Sequence, residues 1–325
     1  DGTDCLIPQI MEHIERAGVH SGDSMAVCPP VTLSDKIIQQ VVKHATSMAR
    51  ELEVLGMMNV QFVLRDDIAQ VLEVNPRASR TVPYLSKITG VPMIQVATNI
   101  MLGKSLKEQG FGTGLLEARE MYAVKAPVFS FAKLTEVDVA LGPEMKSTGE
   151  IMGVDYDFGR ALYKAMVASG INPPVQGKLI ITLADPDKDE GVEIAQEFQE
   201  LGYTIYATAG TSAHLREFGV DALTVNKISE GSPNLLDLVR SRKVHLLINT
   251  VSRDKRIEQE GSIIRKTSVQ QQIPCLTSLD TARALLLALK SRQEGKPFAC
   301  MPIDQYFENP YKHLQSASSG GWLCR

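Results

Sequence analysis

The sequence predicts an α/β protein, with a mixed α+β first part followed by a domain built on a parallel sheet. Three observations carry this. From Lys178 onward, short apolar runs alternate with amphipathic stretches that close on glycines, the pattern of repeated βα units. Before it, Asn59 to Arg65 and Ala69 to Asn75 are rich in Val and Phe and are joined by the polar turn Arg65-Asp66-Asp67, so they read as an antiparallel hairpin. Around the hairpin, apolar residues recur at helical spacing over 32–56 and again between Leu85 and Gly103.

The elements follow in order. Thr32 and Ser34 are candidate caps for the first helix, whose face is Ile37, Ile38, Val41, Val42, Met48, Leu52 and Leu55, and Gly56 is its expected stop. The helix between Leu85 and Gly103 is interrupted near Gly90-Val91-Pro92. Residues 105–175 are less regular and read as a connecting region. Then come a strand over 179–183, a helix over 190–201 stopped by Gly202, and a strand over 203–207. A helix over 212–218 stopped by Gly219, a strand over 222–225, a helix over 234–242 and a strand over 244–248 follow. A last strand, 273–276, precedes a helix over 278–289. The stretch Ser316 to Gly321 reads as part of a flexible tail. The boundaries expected are 1–104, 105–175, 176–300 and 301–325.

Composition narrows the class. With 325 residues, 44% apolar and 22% charged, the chain is long enough for two or three ordinary globular domains. A net charge of −4 with no basic stretch argues against a nucleic-acid surface and for a small phosphate-bearing partner. Five scattered cysteines form no CxxC pair, which argues against a zinc site or disulfide framework and suggests a reducing, cytoplasmic setting. No run is long enough to span a membrane. The chain opens at Asp1 rather than Met, which reads as the start of a fragment.

The sharpest chemical signal is Val71-Leu72-Glu73-Val74-Asn75-Pro76-Arg77. Alternate strand residues share a face, so Glu73 and Asn75 point one way while Leu72 and Val74 are expected to enter the core. On the partner strand, Gln61 lies between Val60 and Phe62. If the register matches, Gln61, Glu73 and Asn75 converge as three oxygen donors, one of them charged, which suits Mg²⁺. Arg77 and Arg80 follow, and guanidinium groups grip phosphate with a planar fork. Cation-holding oxygens beside arginines are the equipment of phosphoryl transfer. The bland alternative is a solvated polar face on an ordinary hairpin. A second feature, Ala17-Gly18-Val19-His20-Ser21-Gly22-Asp23-Ser24, is a polar loop whose glycines let the backbone approach a ligand.

These residues, with Ile10-Met11-Glu12-His13-Ile14-Glu15, Met58 to Phe62, Glu73 to Pro83, Ser86-Lys87 and Thr89 to Pro92, resemble the second ATP-grasp unit of the carbamoyl-phosphate synthase large subunit. Leu141 to Glu150 is similar to a later signature of that family, with Lys146 where Arg is usual. The likeness covers about residues 5–295. It implies the phosphorylation of carbamate by ATP. Gln61, Glu73 and Asn75 would hold Mg²⁺ or Mn²⁺, with K⁺ as a further option. Arg77 and Arg80 would stabilise the transferred phosphoryl group, and Gly18, Val19, His20 and Ser21, with Gln61 and Glu73, would contact ATP. It also implies pyrimidine and arginine biosynthesis, a glutamine amidotransferase small subunit as partner, and an oligomeric full-length enzyme. A fragment of this kind is expected to be inactive alone, because the ATP-grasp lobe with its phosphate-covering loop would precede Asp1.

In the βα-alternating part, Thr208-Ala209-Gly210-Thr211 follows a strand and opens a helix, an arrangement that can cradle an anion. Lys188, Lys227 and Asn249-Thr250 fall at other expected strand ends, where such sheets bind ligands. Each alone is as well explained by capping or solvation; together they point to a phosphate site. This part resembles the methylglyoxal-synthase-like domain of the same family, in which Lys188, Thr208, Thr211, Lys227 and Asn249 would contact an effector such as UMP or IMP. Asn249 to Ser252 carries no acid, which implies a binder rather than an enzyme. Two rivals remain. One is a catalytically silent nucleotide-binding regulatory fragment. The other is a different ATP-grasp ligase such as a biotin carboxylase, which does not carry the last domain.

Overall fold

The computed structural model describes residues 1–131, 137–294 and 300–306. The tail expected to be flexible lies, from residue 307, outside the described residues. The described residues divide into two compact units, residues 1–12, 27–123 and 300–306 in one, and 13–26, 124–131 and 137–294 in the other.

In the first unit, helix α1 (Asp35–Glu51) starts where the Ser34 side chain accepts the Ile37 amide. Its buried face is Ile37 and Val41, packed with Ala69 and the half-buried Phe62. The helix ends before Gly56, leaving Leu52 and Leu55 exposed. Strands β1 (Asn59–Arg65) and β2 (Ile68–Asn75) form the expected antiparallel hairpin. Its two turn residues, Asp66 and Asp67, both have positive φ (51° and 59°), the geometry whose twist matches a two-residue hairpin loop.

The register contains a bulge. Gln61 pairs with Glu73, but Phe62 pairs with Val71, so Leu72 is an extra residue without a cross-strand partner. Strict alternation puts Leu72 in the core beside Val74; the bulge turns it out instead, and it is 65% exposed. Helices α2 (Thr81–Thr89) and α3 (Met93–Met101) are separated at Gly90, whose left-handed conformation (φ 79°) ends α2. The first begins at Thr81, four residues before the helix expected from Leu85. Val91, Val96, Ile100, Leu106 and Phe111 form the core beneath α3.

In the second unit, part of the stretch expected to be irregular is ordered. Strand β3 (Gly149–Asp155) is an edge of a four-stranded sheet and runs into α4 (Phe158–Ala168), capped by the Asp157 side chain. The close approach of strand and helix requires Gly153, because a Cβ there would lie 2.3 Å from the Ala161 carbonyl oxygen and 2.5 Å from the Ala165 amide.

The rest of this unit is a five-stranded parallel sheet. Its strands are β4 (Lys178–Thr182), β5 (Thr204–Ala207), β6 (Ala222–Thr224), β7 (Leu246–Asn249) and β8 (Cys275–Leu276). They lie in the order β6-β5-β4-β7-β8. Leu179 to Ile181 and Leu246 to Ile248 are fully buried, the continuous apolar runs of strands covered on both faces. Helices α5 (Lys188–Glu200), α6 (Ala209–Glu217), α7 (Leu235–Arg240), α8 (Lys255–Gln270) and α9 (Leu279–Gln293) complete it. The sheet runs outward from β4 in one direction and then resumes at β7 on the other side. The crevice at the ends of β4 and β7 is therefore its topological switch point.

The pattern of apolar residues does not announce α8. This helix is mostly Lys, Arg, Glu, Gln and Ser, with Gly261 at its middle, and its apolar positions are sparse. Its start is marked only by Asp254, whose carboxylate accepts the Arg256 and Ile257 amides.

Candidate functional site

On the hairpin, residues directly opposite share a face. The pairs Asn59–Asn75 and Gln61–Glu73 therefore set four polar side chains on one face of the first unit. The opposite face carries Val60, Phe62, Val74 and Ala69, with Ala69 and Phe62 packed against α1. Asn75 Nδ2 donates to Glu73 Oε1 at 3.0 Å, and Arg77 Nη2 reaches Asn75 Oδ1 at 3.5 Å. Arg77 also donates to the Ala78 carbonyl at 2.9 Å, which holds the guanidinium beside the strand end. Arg80 stands at the N-terminus of α2. Asn59 shares the face of Gln61 by strand alternation, and the register sets it opposite Asn75.

Glu73 is exposed, so its carboxylate is available to a ligand without a large desolvation cost. The donor set is hard, with one carboxylate and amide oxygens, and fits a divalent cation whose remaining positions are filled by phosphate and water. Among the described residues no group of three or more His, Cys, Asp or Glu side chains comes together, so a soft-metal cage is not what they offer. Cys5, Cys28, Cys275 and Cys300 are free thiols.

The loop Gly18 to Ser21 belongs to the second unit and is held from several sides. Gly18 has φ 116°, which disfavours any other residue. The His20 amide donates to the Gly142 carbonyl at 2.8 Å, and His20 Nδ1 accepts the Gly22 amide at 3.0 Å. Lys125 Nζ donates to the Ser21 carbonyl at 3.0 Å. Asp23, almost wholly buried, accepts the amides of Lys146 and Ser147, each at 2.8 Å. The segment Leu141 to Glu150 is thus the clamp of this loop. Just before it, burial pushes the Glu15 carboxyl up, opposed by hydrogen bonds from Ser24, Thr281 and the Met25 amide.

At the parallel sheet, the five effector candidates separate into two tiers. Lys188 opens α5 and pairs with Asp185 at 2.7 Å. A Cβ on Gly210, in the first turn of α6, would lie 3.6 Å from Lys188 Nζ. Thr208 is the N-cap of α6 and its hydroxyl makes no capping bond. Lys227 contributes, after Lys188, to holding the Asp185 carboxyl below its ordinary value. Lys188, Lys227 and Thr208 therefore gather at the sheet's C-terminal edge. Thr211 and Asn249 lie beneath them, both buried. Thr211 Oγ1 accepts the Leu183 amide at 3.3 Å, and Asn249 Nδ2 donates to Thr182 Oγ1 at 2.6 Å. Thr250 adds a bond that the sequence did not suggest, with its Oγ1 accepting the Ala184 amide at 2.7 Å. These bonds tie β4 to β7 and α6 at the switch point.

The first unit carries a hairpin with a polar face beside two arginines, and the second a five-stranded parallel sheet with a polar switch point. Residues 2–109 match the family described as "Carbamoyl-phosphate synthase L chain, ATP binding domain", and residues 190–277 match the "MGS-like domain". Together these two matches are those of a C-terminal fragment of the large subunit of carbamoyl-phosphate synthase. Among solved structures, "Biotin Carboxylase domain of single-chain bacterial carboxylase" aligns at 14% identity with a TM-score of 0.35. The alignment covers 45% of this protein and 38% of that one, so it spans well under half of that relative. No helix among the described residues is long and apolar enough to cross a membrane.

Proposed function

We propose that this protein supplies part of an ATP-dependent ligase site that phosphorylates carbamate to carbamoyl phosphate, under control of a nucleotide effector bound at the parallel sheet. The observation that carries the reading is the cross-strand pair Gln61–Glu73, with Asn75 on the same face and Arg77 at its edge, inside the region that matches the ATP-binding family. A carbamate oxygen attacks the γ-phosphorus of ATP and ADP leaves. Mg²⁺ or Mn²⁺, when bound, would supply charge neutralisation on the phosphates. Gln61, Glu73 and Asn75 would hold that ion, and Arg77 and Arg80 would face the equatorial oxygens of the transferred group. The resemblance assigns Gly18 to Ser21 to nucleotide contact as well. Glutamine-derived ammonia from an amidotransferase subunit, a place in pyrimidine and arginine biosynthesis, a cytoplasmic setting and an oligomeric enzyme belong to the same reading.

The test runs the reaction backwards. The full-length protein should make ATP from ADP and carbamoyl phosphate, and Glu73→Gln should lower that synthesis by about 10²–10³-fold. Retention of full activity in Glu73→Gln removes the metal-face assignment. Nucleotide binding without any ATP synthesis in the unsubstituted protein would favour a purely regulatory module.

A further inference from the structure

The only arginine among the largest fully buried side chains of the described residues sits in α8, a segment without motifs. Arg265 is 0% exposed. Its Nε and Nη2 donate to the two carboxylate oxygens of Asp138 at 2.7 and 2.6 Å, a planar two-point fork. Nη1 donates to Asn249 Oδ1 at 2.5 Å, and Nη2 also meets Glu258. Burial works to raise the Asp138 carboxyl, yet the Arg265 bonds outweigh it and hold the group well below the usual carboxylate range. Room for this cluster depends on Gly261, since a Cβ there would lie 3.0 Å from Arg265 Nη1 and 3.3 Å from Asn249 Oδ1.

The two partners of Arg265 lead to different sites. Asn249 ends β7 at the switch point and is bonded to Thr182 on β4. Asp138 begins the segment that clamps the His20 loop. Its Oδ1 accepts the Ala140 amide at 3.0 Å, and Lys146 Nζ donates to the carbonyls of Asp138 and Ala140 at 3.0 and 2.6 Å. Gly142 and the amides of Lys146 and Ser147 then hold His20 and Asp23. An unbroken run of hydrogen bonds, all inside the second unit, joins the end of β7 to the loop.

We infer that Arg265 is a positioning residue that transmits occupancy of the strand-end phosphate site to the His20 loop, through Asn249 on one side and Asp138 on the other. The inference rests on the reading of the two sites given under Proposed function. An anionic ligand at the switch point competes with Thr182 Oγ1 for the Asn249 Nδ2 donor, and turning that side chain withdraws the Oδ1 that accepts from Arg265. Arg265 then has two arrangements, shared with Asn249 or held by the carboxylates alone. A ligand that binds one arrangement better shifts the position of the 138–147 segment, and the coupling is reciprocal.

The experiment uses the full-length protein and Asp138→Asn, which keeps the side-chain shape and removes the charge that fixes the guanidinium, with Arg265→Lys as a second variant. UMP and IMP are each added alone, binding is followed by calorimetry, and hydrogen exchange is read at the amides of His20 to Asp23. The expected result is nucleotide affinity within about threefold of the unsubstituted protein and unchanged basal ATP synthesis. The effector-induced change in the apparent affinity for ADP, on the order of 5–150-fold in coupled systems, should shrink to less than about twofold in Asp138→Asn. The exchange response of the loop should vanish with it. A full effector response in Asp138→Asn, with the same exchange change as in the parent, overturns the relay while leaving both sites standing. Failure of both nucleotides to bind the parent protein removes the effector site, and the relay with it. If Asp138→Asn does not fold, Arg265→Lys decides by the same two readouts.

Discussion

The hairpin and the switch point handle charge in opposite ways. On the hairpin, Glu73 lies exposed and accepts a side-chain bond from Asn75 Nδ2. At the switch point, Asn249, Thr211 and Arg265 are buried: Arg265 is bonded to Asn249, Asn249 to Thr182, and Thr211 to the Leu183 amide. A site that must exchange a cation and phosphates needs oxygen atoms held in rough alignment but free to be taken up. A site that must report on occupancy needs groups whose every movement is felt by a neighbour. The difference predicts that substitutions separate by readout: stability at the switch point, chemistry on the hairpin.

The largest effect tests the buried side of this contrast. Arg265→Met removes the cation from two carboxylates and leaves the Asn249 oxygen without its donor. Breaking a buried ion pair from one side typically costs about 3–5 kcal/mol. Urea denaturation should show a loss in that range, and a change below about 1 kcal/mol would mean the carboxylates find water at no cost.

Next comes the exposed side. Glu73→Gln should lower ATP synthesis from carbamoyl phosphate by about 10²–10³-fold, the usual effect of removing one preorganised charge-stabilising group. Its unfolding free energy should stay within about 0.5 kcal/mol of the parent, as for surface changes away from packed features. Loss of stability without loss of rate would reverse the two regions' roles.

A third, smaller effect distinguishes buried charge held by ion pairs from charge offered to a ligand. Burial works to raise the Asp155 carboxyl, and Arg160 and Lys164, at 2.7 and 2.8 Å, more than offset it, so its folded value lies below the ordinary 3.8. A depressed carboxylate contributes stability above its unfolded value and loses it as pH falls through the folded value. Asp155→Asn should therefore cost about 1 kcal/mol at neutral pH and flatten the decline of stability below pH 3.8. An acid limb identical to that of the parent would show that Asp155 is not responsible for it.

Sequence revealed these regions unequally. Both hairpin strands, the turn between them, the break at Gly90 and every strand of the parallel sheet could be read, because each is written in local chemistry: alternation, a glycine, a β-branched run. Gln61, Glu73 and Asn75 could be grouped because period two is a rule of the strand itself. Most of what escaped depends on long-range contact. Asn59 shares the face of Gln61 by the same period of two, but only the register sets it opposite Asn75. Helix α8 is too polar for periodicity to mark it, and Arg265 is buried because Asp138, 127 residues earlier, comes to meet it. Strand β3 and α4 fall in the stretch expected to be irregular, although Ala161, Leu162, Ala165 and Met166 recur at helical spacing behind the Asp157 cap; what only the structure shows is why Gly153 is needed. A charged residue in a polar segment carries no mark of being interior.

The smallest effect concerns the one hairpin residue that sequence placed on the wrong side. Alternation sends Leu72 inward with Val74, but the bulge between Gln61 and Phe62 breaks the count and leaves it 65% exposed. An inward leucine replaced by serine would lose a buried side chain, about 1.5–3 kcal/mol, and leave a cavity besides. An exposed one loses little, so Leu72→Ser should change the unfolding free energy by less than about 0.5 kcal/mol. Ala69→Ser, on the face packed against Ile37 and Val41, is the control that should cost more. The register matters to chemistry as well as packing. Only with Leu72 as the extra residue do Phe62 and Val71 pair while Gln61 stays opposite Glu73, so that the apolar and polar faces are both preserved. Removing Leu72 altogether should force a choice between them. A deletion that kept full ATP synthesis and full stability would show that the bulge is not what aligns the oxygen donors.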